Sequence, residues 1–133
     1  MKYGLRLLAF VLFAATALPL GANELIGSIS LNANRTFHRG ACPTSITFHG
    51  SIDIDVPPSG MVFNYSWTRS DGATTQPQVI HMPAGSHNRH YPISTTWTLG
   101  APGQHYDIWE ELHVNTGNTH RVQRSQTVSV DCR

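Results

Sequence analysis

Ser45-Ile46-Thr47-Phe48-His49-Gly50-Ser51-Ile52-Asp53-Ile54 is the stretch on which the fold turns. Ile46, Phe48, Ile52 and Ile54 fall on alternate positions and share one face across Gly50, while Thr47, His49, Ser51 and Asp53 take the other. A period of two belongs to a β-strand with one buried face, because successive side chains point to opposite sides of the pleat. A helix would need apolar residues three and four apart, and hardly a window of the chain offers them. Pro57-Pro58-Ser59-Gly60 then ends the strand with turn chemistry.

The same pattern extends in both directions. Over residues 62–69, Phe63, Tyr65 and Trp67 alternate with Asn64, Ser66 and Thr68, and Ser70-Asp71-Gly72 closes the run. A short strand is expected at 78–82 before Pro83-Ala84-Gly85, and others at 25–31, 91–99, 106–114 and 122–132. About seven strands with turns roughly every 8–12 residues predict an all-β chain folded as an antiparallel β-sandwich. Trp67 and Trp97 are expected to fill its core, since large aromatics supply much of a small sandwich's burial. Trp109 fits either the core or an exposed glycan platform.

Residues 1–22 divide as a secretory signal does. Lys2 and Arg6 precede the apolar LLAFVLFAATALPL, and Leu20-Gly21-Ala22 ends in a small residue. The apolar run of about 14 residues falls short of the ~20 that a spanning helix needs. The expectation is therefore export to periplasm or medium, cleavage, and one domain over 23–133 with no membrane insertion afterwards. Removing Lys2 and Arg6 takes nine basic residues to seven against eight acidic ones, a net charge near −1 with histidines neutral. The arginines that remain are scattered, so no basic stripe invites nucleic acid. The two cysteines, Cys42 and Cys132, are expected to pair in an oxidising compartment. Free thiols or a redox pair are the alternatives, and no C-x-x-C spacing favours them.

Five runs together carry a resemblance: CPTSITFHGSI from Cys42, FNYSWTRSDG ending at Gly72, TWTLG at 96–100, WEELHV at 109–114 and SQTVSVDC ending at Cys132. In this order they resemble a group of immunoglobulin-like domains of exported bacterial proteins, largely of unknown function. The segment from Tyr65 to Gly72 is the most specific part. The resemblance implies a seven-strand immunoglobulin-like sandwich with the two cysteines bridged, and it brings no catalytic motif. One cysteine precedes a strand and the other closes the chain, so the bridge reads as a terminal clasp rather than an antibody-type link across the core.

Eight histidines are the compositional anomaly. His81, His87 and His90 surround one turn and could together ligate zinc or copper. His49 and His113 sit on strand faces opposite the apolar residues. Enzymatic chemistry is not expected. No G-x-S-x-G elbow or glycine-rich phosphate loop occurs, Asp53 and Asp55 read as a solvated strand end, and Glu110-Glu111 as an exposed strand edge. No cofactor is implied. The expected role is binding, to a protein or glycan at the cell envelope or outside the cell, through Trp109, Arg69, Asp71 and the loops at 57–60, 70–76, 83–90 and 101–104. A metal-binding protein and an inhibitor of a secreted hydrolase, with the 83–90 loop inserted, are the alternatives.

Overall fold

Alternation becomes strand throughout: the computed structural model describes residues 25–117 and 119–133, and these hold ten β-strands and no helix. The expected signal at 1–22 lies outside the described residues. β1 (Ile26–Ala33) pairs antiparallel with β3 (Thr44–Ile54), which pairs over its whole length with β6 (Arg89–Leu99). A second sheet runs in the order β5 (Gln78–Met82), β4 (Met61–Arg69), β8 (Glu110–Thr116) and β9 (Thr119–Arg124), all antiparallel. In the third, β10 (Val128–Cys132) lies antiparallel to β7 (His105–Ile108) and parallel to β2 (Phe37–Gly40).

Ten strands stand where about seven were expected, for three local reasons. The expected strand at 106–114 is interrupted at Trp109, giving β7 and β8. That at 122–132 is interrupted at 125–127, giving β9 and β10. β2 has no alternating signature, and its burial pattern shows no buried residue. It forms through backbone pairing with β10 alone.

One apolar cluster draws on all three sheets. Ile46, Phe48, Ile52 and Ile54 of β3 are buried, as their shared face requires. They meet Phe63 and Trp67 of β4, Leu112 and Val114 of β8, Val128 and Val130 of β10, and Trp97 of β6. Gly50 keeps the β3 alternation unbroken at a close approach, because a Cβ there would lie 2.8 Å from the Ser30 carbonyl oxygen.

Cys42 and Cys132 form a disulfide with Cα atoms 5.4 Å apart, closing a sequence separation of 90. It rests on Gly100, where φ is +109° and a Cβ would meet the Cys132 sulfur at 2.6 Å. Glycine is the residue that tolerates both this conformation and this proximity. Among the described residues no helix is long and apolar enough to cross a membrane.

Candidate binding site

Arg69, Asp71 and Trp109 come together where β4 ends. The turn after β4 abuts the interruption between β7 and β8: Ser70 N–H donates to the Trp109 carbonyl at 3.0 Å, and Trp109 N–H donates to Ser70 Oγ at 3.2 Å. Asp71 Oδ1 accepts from Ala73 N–H at 2.9 Å and fixes the turn, the local bond that makes aspartate a turn residue.

The three side chains do different work. Arg69 turns inward, with its Nε 3.1 Å from Glu110 Oε1 and its guanidinium 4.9 Å from the centre of the Trp97 ring. Glu110 is fully buried, which corrects the expectation of an exposed strand edge at Glu110-Glu111. β8 is an interior strand, and its period of two places Glu110 on the same face as Leu112 and Val114. Burial pushes the Glu110 carboxyl above the usual glutamate range, and the Arg69 guanidinium only partly offsets this. Its Oε2 atom has no hydrogen-bond partner among the described residues.

Trp109 is half-buried, and the Arg124 guanidinium lies 3.7 Å from its ring centre. That cation covers one face of the indole. Trp67 and Trp97 are buried, as expected of core residues.

Asp71 lines a cavity of about 330 Å³ together with Ser70, Trp97, Leu99, Tyr106, Asp107 and Ile108. Trp97 and Ile108 are buried and form its apolar floor, and Asp71 is exposed beside them; on β7 the alternation places the Asp107 side chain on the face opposite Tyr106 and Ile108. Asp107 Oδ1 accepts from Ser129 Oγ at 2.7 Å and lies 3.3 Å from His105 Nε2. The hollow therefore offers an apolar slot with the exposed Asp71 beside it. Asp107 and Tyr106 were not singled out in the sequence, because their meeting with Asp71 depends on where β7 lies against the turn.

The turn histidines are spread over two strands of different sheets and the loop that joins them. His81 lies on β5 opposite Val62, in the four-stranded sheet. His90 lies on β6 of a different sheet, with its Nδ1 2.6 Å from Asp53 Oδ1. Among the described residues no group of three or more His, Cys, Asp or Glu can hold a metal ion. Asp53 also accepts from the Ser28 hydroxyl, and this bond, followed by that to His90, holds its carboxyl below the usual range. The 83–90 loop is tied down. Gly85 N–H donates to the Pro58 carbonyl at 3.3 Å, and Asn88 Oδ1 accepts from Val56 N–H at 2.9 Å.

No protein-family model matches the chain, and no curated protein is similar to it in sequence.

Proposed function

We propose that the chain is an exported, immunoglobulin-like β-sandwich that acts as a non-catalytic binding module for a protein partner at the cell envelope or outside the cell. If β7 with β8, and β9 with β10, are each taken as one interrupted strand, the orders β1-β3-β6 and β5-β4-β8-β9 accord with the two sheets of such sandwiches. The disulfide accords with an oxidising destination.

The observation that carries the binding reading is the cavity beside the β4 turn. An apolar floor beside Asp71 suits a side chain with an apolar stem and a cationic tip, which is lysine or arginine. A protein partner presenting such a residue is preferred to a glycan, because Arg124 already occupies one face of Trp109.

The test is a cross-linking pull-down with the mature, oxidised domain from envelope and culture-supernatant fractions, followed by affinity measurement on the captured protein. The Asp71→Asn variant keeps the turn bond to Ala73 but removes the charge. Saturable capture that weakens at least about tenfold in the variant supports the reading, the range expected when close charge pairs across an interface are broken. Saturable capture that is unchanged in the variant rejects the cavity as the contact, and no saturable capture rejects the binding module.

A further inference from the structure

The outer face of the four-stranded sheet carries a second constellation, on the β8–β9 hairpin. Register places Asn115 opposite His120 and Val122 opposite His113, so the two histidines are diagonal neighbours on one face. Their rings lie edge to edge, with centroids 5.4 Å apart and planes within 18°, and His113 Nδ1 lies 3.2 Å from His120 Nε2. On the other side of the His113 ring, Nε2 lies 3.1 Å from Glu111 Oε1. Arg124 holds the second carboxylate oxygen, with Nη2 2.9 Å from Oε2.

These contacts decide the tautomer. An ionised carboxylate only accepts, so His113 Nε2 must carry the proton of that bond. In the neutral ring Nδ1 is then a bare lone pair, aimed at His120. A carboxylate bonded to the far nitrogen of an imidazole is the outer-shell arrangement that orients metal-binding histidines and raises their basicity.

The separation of the two nitrogens also fits. Metal–nitrogen bonds of about 2.0–2.1 Å place two ligands about 3.3 Å apart on a tetrahedral ion and about 2.9 Å apart at adjacent corners of a square. The observed 3.2 Å lies between them. We propose that His113 and His120 are a two-point chelate for a borderline divalent ion, Cu²⁺, Ni²⁺ or Zn²⁺, with Glu111 as the positioning carboxylate. On binding, the His120 Nε2 proton passes through solvent to its Nδ1, and Nε2 becomes the second ligand. Glu111 bonds the far side of the ring and is not a ligand, so water fills the remaining positions. Copper binds most tightly, following the general order of divalent affinities. The site lies on residues other than those of the cavity, so its fate is independent of partner capture.

The test is calorimetric titration of the oxidised domain with Cu²⁺, Zn²⁺ and Mg²⁺ near pH 7.5, with electron paramagnetic resonance of the copper form. The expected result is one Cu²⁺ per chain with two imidazole nitrogens in its spectrum, weaker Zn²⁺ binding and no Mg²⁺ binding. Affinity falls at least about tenfold in His113→Ala and in His120→Ala, and about tenfold in Glu111→Gln, the range for loss of an outer-shell partner. It persists in the His81→Ala/His87→Ala/His90→Ala variant. His120 is exposed, so its variant keeps the fold and reports binding alone. Absence of one-to-one binding, or binding unchanged in both single-histidine variants, overturns the site. Binding unchanged in Glu111→Gln overturns the role of the carboxylate.

Discussion

At the residue scale, three positions answer to their immediate neighbours. Gly50 sits inside a strand, where replacing glycine by alanine ordinarily stabilises by about 0.4–1 kcal/mol through the unfolded state. Here the added methyl would sit 2.8 Å from a backbone oxygen of β1. Forcing atoms into a packed site costs about 1–3 kcal/mol, so the clash prevails and Gly50→Ala should lower the urea midpoint. Glu110 and Asp53 respond to pH in opposite senses. The Glu110 carboxyl is raised in the folded state, so its contribution to stability is fully present below the unfolded value, about 4.3, and is lost as pH rises through the folded one. Asp53 is lowered, so its contribution is present above the ordinary aspartate value and is lost as pH falls through the folded one. Urea titrations from pH 3 to 7 should show Glu110→Gln flattening the loss that accompanies rising pH, while Asp53→Asn flattens the acid limb below about pH 4. Burial of Glu110 was legible in its alternation with Leu112 and Val114. Its charge argued for solvent, and the Arg69 partner that makes burial tolerable is distant in sequence.

At the scale of elements, strand positions followed from periodicity and their interruptions did not. The breaks at Trp109 and at 125–127 face each other and are held by specific polar contacts. Glu110 N–H donates to the buried Ser125 Oγ at 3.1 Å, and Ser125 N–H donates to the Glu110 carbonyl at 2.9 Å. Ser125→Ala leaves the Glu110 amide without its acceptor beside a buried carboxyl. The expected cost is about 1–3 kcal/mol by chemical denaturation, against a few tenths for an exposed serine. Nothing in Ser125-Gln126-Thr127 announces such a partnership, because hydroxyls that replace a ladder bond look like ordinary loop serines. β2 escaped notice for a related reason: it buries no side chain, and periodicity registers only side chains. The His113–His120 pair likewise needed the hairpin register. The turn histidines at 81, 87 and 90 were conspicuous in sequence, yet β5 and β6 carry His81 and His90 into different sheets and His87 stays in the loop between them.

At the scale of the whole molecule, the disulfide is a large single contribution that can be removed. Closing a loop of 90 residues restricts the unfolded chain by about 4–5 kcal/mol on the chain-entropy model. Domains of this size have only about 5–15 kcal/mol in all, so the bridge accounts for a large fraction. Cys42→Ser with Cys132→Ser should therefore lose about 2–5 kcal/mol in a denaturant titration, and reduction of the native chain should lose the same amount. Both cysteines and their pairing were legible from composition and the apolar leader. That the bridge rests on Gly100, and ends the parallel β2–β10 pair, was not.

The bridge also determines how the molecule carries tension. A pull applied at the two ends of the described chain reaches Cys42 from one side and Cys132 from the other, and crosses directly between the two sulfurs. Everything from β3 to β10 then lies in a slack loop outside the load path, and force can peel only β1 and β2. In single-molecule stretching, the oxidised domain should yield just the short extension of its first two strands. Reduction should release about 300 Å more, the contour length of the protected loop at ~3.3–3.6 Å per residue. Under tension this is a fastener that lengthens little, and its reach is under redox control.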